Sequence, residues 1–533
     1  MSEDVPESKS NEPANAPVVS AEELRRCADV LSAIVDDRGL LIQLPQEERK
    51  RLVIAAGRVS RPSRDDERRL RRTFSRVQKV QERSADRQTK SETGIRAARD
   101  TSVFVAPPQL TYSDFNADTR YRELKKPKSC YVCKEDFTRL HFFYDAMCPA
   151  CAEFNYAKRF QSARLDGWVA VITGSRLKIG YQAALKMLRA GARVIATTRF
   201  PHDSAQRYSK EPDFAEWRDR LHVHGLDLRH SPSVEIFTRY LNARFERLDI
   251  LINNAAQTVR RPGGFYRHLL EFENCRWAEL PAEIRPLLQS HEECKAALDT
   301  RPLTPNPSPP RGEGNNADST GLTVLGSGAG MGIRASAALS QERYTYDDAQ
   351  CGRDVFPEGK TDADLQQIDL RTQNSWRMAL AEVPTPEMLE VQLVNAVAPF
   401  ILCSKLKPLM LKLPTGQRHI VNVSAMEGIF SRGTKTDKHP HTNMAKAALN
   451  MMTLTSSPDY VKDGIFMNAV DTGWVTDEDP AAHAARKREE HDFQPPLDIV
   501  DGAARVCDPF FAGLISGEHV WGKFLKDYRA ASW

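Results

Sequence analysis

Four cysteines, Cys130, Cys133, Cys148 and Cys151, stand in the chain as CYVC and CPAC, with 14 residues between the two pairs. A C-x-x-C turn offers two thiolates from one tight bend. Two such turns facing each other complete the tetrahedral set of soft ligands that Zn²⁺ prefers. The set leaves no position for water, so the expected role of the zinc is structural. A redox pair is the weaker reading, because neither C-x-x-C opens a helix after a strand in the pattern that activates such thiols. His141 is a spare ligand that the four sulfurs do not need. Tyr131, Phe137, Phe142, Phe143 and Tyr144 are expected to form the small core around the metal.

A second stretch, WVAVITGSRLKIGYQAALKMLRAGARVIATTR (168–199), reads as strand, turn, helix and strand. Its turn carries Thr173, Gly174, Ser175, Arg176, Lys178, Ile179 and Gly180. Such a turn aims backbone N–H groups and a helix N-terminus at one point, where a pyrophosphate binds. Another glycine run, GSGAGMG (326–332), does not fit that pattern and follows a linker, so it reads as a flexible loop. A third stretch, HPHTNMAKAALNMMT (439–453), places the hydroxyl of Thr442 four residues before Lys446 at the start of an apolar helix. The plain structural reading of Thr442, or of Asn443, is a helix N-cap.

Taken in order, these stretches resemble the short-chain dehydrogenases/reductases. The family's T-G-x-x-x-G-x-G matches at Thr173, Gly174 and Gly180, with Lys178 in place of the middle glycine. Its N-N-A-G corresponds to NNAA (253–256), which puts Asn254 and Ala255 at the cofactor. NAVAPF holds Asn395 and VNVSAM holds Ser424. Lys446 matches the lysine of Y-x-x-x-K, with Thr442 where the tyrosine belongs. VDTGWVT (470–476) resembles the family's P-G-x-x-x-T, with Thr472 for the proline and Thr476 for the cofactor-contacting threonine, one residue early. Asp227 and Leu228 match the pair that the family places beside the adenine; otherwise Asp227 is a loop or helix N-cap. The resemblance covers about 165–256 and 372–533. It implies a bound NAD(P) and a small carbonyl or alcohol substrate.

NAD sites carry an acid after the second strand, for the ribose hydroxyls. Here ATTRF (196–200) offers Arg199 instead, a fork suited to a 2′-phosphate, with Arg176 nearby. NADP is therefore expected over NAD; the alternative for Arg199 is a solvated strand-end charge. In the family, tyrosine and lysine together move the proton, serine orients the carbonyl and asparagine anchors a water. A threonine hydroxyl has no comparable acidity at pH 7. Three routes stay open. His439 or His441 replaces the tyrosine, since imidazole titrates near ~6.5. Substrate, solvent or Lys446 supplies the proton. Or the protein binds the cofactor as a sensor or scaffold.

The elements that must position these residues are legible as runs. WVAVITG, ARVIATT, LHVHGLDL, LDILINN, RHIVNVSAM, IFMNAVDTG and WGKFL read as buried strands alternating with helices. They predict an α/β fold: a Rossmann-like, doubly wound parallel sheet over 165–256 and 372–533. A disordered 1–20, a charged helical region over 21–120 and the zinc module over 125–160 precede it. Residues 257–371 are an insertion with a Pro/Gly-rich linker at 304–320. The insertion leaves the sheet at the edge where ligands bind and is expected to cap the site. Trp376 and a helix over 386–411 are expected to give the face of a homodimer or homotetramer. A net charge of +4, from 75 basic and 71 acidic residues, gives no reason to expect nucleic acid. No leader is visible, and no run reaches the ~18–20 apolar residues of a membrane span. The sparse cysteines suit a reducing compartment, the cytoplasm.

Overall fold

The computed structural model describes residues 19–107, 109, 121–300, 328, 330–344 and 346–533. The expected linker at 304–320, and all but Val19 and Ser20 of the expected disordered segment, lie outside the described residues. The chain divides into two units, Met1–Glu82 and Arg83–Trp533. The first carries the helices Ala21–Asp36 and Gln46–Ser60 and most of Arg64–Ser91. Ser20 starts the first of these helices: its Oγ accepts the Glu23 N–H, and the Glu23 carboxylate accepts the Ser20 N–H. None of these helices buries a residue.

The second unit is organised by an eight-stranded sheet. In chain order its strands are β3 (Val169–Thr173), β4 (Arg193–Thr198), β5 (Leu221–Gly225), β6 (Ile250–Asn253), β7 (Arg418–Ser424), β8 (Ile465–Asp471), β9 (Phe524–Lys526) and β10 (Arg529–Ala531). In space the order is β10-β9-β8-β7-β6-β3-β4-β5, parallel except for the β9–β10 hairpin. The chain runs outward from β3 through β5 and then returns to β6 on the other side of β3. That reversal opens a crevice at the C-terminal ends of β3 and β6.

Alternation along each strand sends side chains to two cores. Ala170, Ile172, Ile250, Ile252 and Val421 face one core, with the helices Lys178–Arg189 and Ile499–Ser516. Val169, Val171, Leu251 and Ile420 face the other, with Ser231–Arg244 and Ala398–Leu411. The helix Thr385–Leu411 has the length and apolarity of a membrane span, yet half of its apolar window is buried. It contains a π-turn at Leu393–Val397 and the buried carboxylates Glu387 and Glu390.

The insertion brings its own helices, among them Gly263–Glu273 and Arg285–Thr300. The end of the glycine run differs from the expected loop. Met331–Arg334 is a helical turn, and Gly332 is buried, donating its N–H to Ser233 Oγ at 2.9 Å. Ahead of the sheet, β1 (Tyr121–Ser129) and β2 (Asp136–His141) form an antiparallel hairpin, followed by the helix Pro149–Phe160.

Candidate active site

Gly174 follows β3 with φ +67°, and a Cβ there would sit 2.8 Å from the Ala255 Cα. Gly180 is closer still: its Cβ would meet the Gly174 carbonyl at 2.3 Å and Asn254 Nδ2 at 2.4 Å. Both glycines are thus required by the approach of the β3 turn to the strand β6. Asn254 fastens the turn, donating to the carbonyls of Thr173 and Gly174 at 3.0 and 3.1 Å. The Thr173 hydroxyl accepts the N–H groups of Asn254 and Ala255. Ser175 is buried, with its Oγ 3.4 Å from the Thr197 carbonyl. Ile179 packs against Gly502 of the helix Ile499–Ser516. Among the described residues no side chain caps the helix Lys178–Arg189, whose N-terminus follows the β3 turn.

Lys178 takes φ +54°, the left-handed conformation natural to the glycine it replaces. The turn has kept its backbone path although the residue changed. Left-handed backbone costs a side-chain-bearing residue about 1–2 kcal/mol, whereas glycine in the unfolded chain costs about 0.4–1 kcal/mol. Lys178→Gly is therefore expected to leave stability unchanged or raise it by up to about 1 kcal/mol, read from the urea midpoint. A loss of that size would mean that contacts of the lysine side chain hold the turn.

At the C-terminal end of β4, Arg199 donates from Nη2 to the Tyr266 hydroxyl at 2.6 Å. Arg176 is buried and ion-paired with Asp203 at 2.6 Å, so it is already neutralised. Asp227 is buried and paired with Arg229 at 2.6 Å, and Arg229 also reaches Glu390. Asp227 caps no helix; the His230 side chain accepts at the start of Ser231–Arg244. Leu228 lies within the second core.

Beyond β7, Thr442, Lys446 and Asn450 recur at spacings of four on the helix Pro440–Tyr460, so they share one face. Ser424, at the end of β7, donates to Asn450 Oδ1 at 2.6 Å, and Lys446 Nζ donates to the Val423 carbonyl at 2.8 Å. Burial lowers the Lys446 ammonium to about 8, against the opposing pull of Glu427 and Asp471. Asn395 sits in the π-turn and clasps the Gln257 backbone, accepting its N–H at 2.7 Å and donating to its carbonyl at 3.1 Å. The Thr476 hydroxyl donates to Glu478 at 2.7 Å.

Thr442 is not the N-cap. The helix begins two residues earlier, at Pro440, and among the described residues the buried Thr442 Oγ1 has no hydrogen-bond partner. His441 lies about 140° round the helix from Lys446. Burial, and then His439, lowers His441 to about 4, so it is neutral at pH 7. His439, at φ +43°, stacks on Trp376 with ring centres 3.9 Å apart, which turns Trp376 toward the site loop. Asn450 was missed in the sequence, although a further step of four past Lys446 signals it. Glu427, from the loop after β7, had no such signal.

The four cysteine sulfurs lie within 4.8 Å of one another. Cys130 and Cys133 come from the bend between β1 and β2. Cys148 and Cys151 come from the start of Pro149–Phe160, so CPAC does open a helix, unlike the expectation. All ten cysteines are free thiols. Burial raises the Cys130 thiol, but the N–H groups of Cys148, Cys133 and Val132 outweigh it and bring it to about 7. Burial and the neighbouring sulfurs push the Cys151 thiol up.

Residues 168–273 match the family model described as short chain dehydrogenase. The chain is 30% identical over 395 residues to "Uncharacterized protein R665" of Acanthamoeba polyphaga mimivirus, covering 72% of this chain and 71% of that one. A shorter match to (+)-neomenthol dehydrogenase of Capsicum annuum is 32% identical over 89 residues, 16% of this chain and 28% of that one. Among solved structures, the Pseudomonas aeruginosa RhlG/NADP active-site complex aligns at 16% identity with a TM-score of 0.39, covering 68% of this chain and 94% of that chain. The chain belongs to one family with the viral protein, and the part of it over residues 168–273 matches the short chain dehydrogenase model.

Proposed function

We propose that the protein is an NADP-preferring oxidoreductase that interconverts a small carbonyl compound and its alcohol, with a structural zinc in its four-cysteine module. One observation carries the reading: Ser424 and the Thr442–Lys446–Asn450 face meet beside the crevice at which the glycine turn ends. The residues fit a dinucleotide. Gly174 and Gly180 leave no side chain between the turn and β6, and the N-terminus of Lys178–Arg189 is uncapped. Thr173, Gly174, Ser175, Arg176, Lys178, Ile179 and Gly180 would border the pyrophosphate, Arg199, Asp227 and Leu228 the adenosine, and Asn254, Ala255, Lys446 and Thr476 the nicotinamide half.

The nicotinamide supplies or takes up the hydride when bound. In reduction, the proton for the substrate oxygen leaves Lys446 Nζ, whose lowered affinity suits a donor near neutral pH. Ser424, held by Asn450, orients the same oxygen, and Asn395 fixes the neighbouring backbone of Gln257. Thr442 lines the pocket without titrating. His441 is a poor candidate for the missing acid, being neutral and off the Lys446 face. The exposed Phe400, Met444, Met451 and Leu454, on Thr385–Leu411 and Pro440–Tyr460, are the proposed face of a homodimer. The free cysteines and the zinc reading fit a cytoplasmic setting.

A cofactor sensor or scaffold is the second reading, favoured by Thr442 at the position of the acid. One experiment separates the two: fluorescence titration with NADPH, then turnover on a panel of ketones, aldehydes and alcohols, with Ser424→Ala as control. Binding with turnover that Ser424→Ala reduces supports the enzyme. Binding without turnover supports the sensor, and absence of binding at high micromolar protein sinks both.

A further inference from the structure

The insertion meets the nucleotide-binding edge behind three successive strands. Behind β3, the Asp364 carboxyl is raised by burial and drawn back by the Lys178 ammonium, so the two lie within electrostatic reach. Behind β4, Tyr266 accepts from Arg199 at 2.6 Å, and the guanidinium carbon lies 4.6 Å from the centre of its ring. Ser336 Oγ donates to the Arg199 carbonyl at 2.8 Å. Behind β5, the Asp227 N–H donates to the Gly332 carbonyl at 2.8 Å. These contacts fall behind β3, β4 and β5, whereas the first residue of the insertion, Gln257, meets Asn395.

Arg199 stands apart from the arginines around it. Arg176 and Arg207 share Asp203, and Arg229 bridges Asp227 and Glu390. Among the described residues no acid forms an ion pair with Arg199; Asp227, already paired with Arg229, lies within its electrostatic reach, and its close partners are a neutral hydroxyl and the rings of Tyr266 and Phe200. Phe200 in turn stacks on Tyr266, with ring centres 5.0 Å apart. A guanidinium held on an aromatic face keeps its fork and its charge available for a phosphate. The backbone and the head group of Arg199 are both fixed by residues of the insertion, from segments 70 positions apart in sequence (Tyr266 and Ser336).

We infer that the insertion, through Tyr266 and Ser336, builds one wall of a subsite for the adenosine 2′-phosphate and positions Arg199 in it, so that this segment sets the choice between NADP(H) and NAD(H). The inference rests on the dinucleotide reading above. It makes Tyr266 a positioning residue, acting through Arg199.

The test uses the full chain and titrates NADPH and NADH separately by fluorescence, with 2′-AMP and 5′-AMP as competitors. Arg199→Ala is expected to weaken NADPH by about 10- to 100-fold and NADH by less than about threefold. Tyr266→Phe keeps the ring and removes only the hydroxyl. It is expected to weaken NADPH by about three- to tenfold, again sparing NADH. 2′-AMP should displace NADPH from the wild type better than 5′-AMP, and lose that advantage in Arg199→Ala. Unchanged NADPH binding in Tyr266→Phe overturns the inference, as does an equal loss for both nucleotides, which would mark a structural role. If the wild type binds neither nucleotide, the dinucleotide reading itself falls, and this inference with it.

Discussion

Lys446→Met is expected to lower kcat/KM for carbonyl reduction by about 10²–10⁴-fold, the range that a positioned general acid supplies. The size of the effect follows from the missing tyrosine. Thr442 cannot move a proton at neutral pH, His441 is held near 4, and Lys446 is the titrating group on the helix face that meets Ser424. The sign of the pH dependence is fixed by which form reacts. Reduction needs the ammonium, so its rate should be level below about pH 7 and fall as pH rises through about 8. Alcohol oxidation needs the free amine and should rise over the same interval. Lys446→Arg keeps the positive charge but does not titrate in this range, so any residual activity should lose that limb. A wild-type profile flat from pH 6 to 10 would remove Lys446 from the proton path.

The second large effect is expected from the cysteine module. Cys148→Ser, or prolonged chelation, should release about one zinc per chain and lower the melting temperature by several degrees, read by calorimetry beside metal analysis. The reason lies in what the module's core contains. Leu140, Phe143, Tyr144, Met147 and Tyr156 form one buried cluster with Val475, Leu497 and Ile499, which lie on either side of the segment following β8. Arg159 is buried against Asp498 at 2.7 Å, and Tyr131 accepts the Trp474 N–H at 3.0 Å. Loosening the four sulfurs therefore loosens the chain that leaves the sheet beside Ser424, whose strand partner is Asp471. KM for substrate should rise along with the fall in melting temperature. Protein with well under one zinc per chain and an unaltered melt would refute the structural role.

The parallel sheet was legible because the strands from β3 to β8 are short, mostly buried runs between turn signals, several of them rich in Val and Ile. The residues that the structure brings together around the crevice were legible through order: a turn, an asparagine pair, a serine at a strand end and a lysine on the following helix. What the sequence hid depends on long-range contact. Nothing local tells that Tyr266 reaches Arg199, or that Gly332 sits on Asp227, because neither pair shares an element or a periodicity. The N-cap expected at Thr442 or Asn443 failed for a different reason: Pro440 starts the helix two residues before Thr442, which draws Thr442 into its buried first turn. His439 supplies the sharp entry by adopting a left-handed backbone, a conformation that composition does not announce in histidine.

The π-turn at Leu393–Val397 adds one residue to a helix that is otherwise regular. One residue is about 100° of rotation. The two halves of Thr385–Leu411 are therefore out of phase, as two cogs on one shaft. The first half turns Glu387 and Glu390 toward Arg260 and Arg229, where they hold the entrance of the insertion. The second half turns Leu402, Leu406 and Leu409 toward the sheet. Asn395 sits at the joint. Seating of the helix on the core and alignment of the insertion are thus independent settings of one element, and a change of length at the joint would move one without the other.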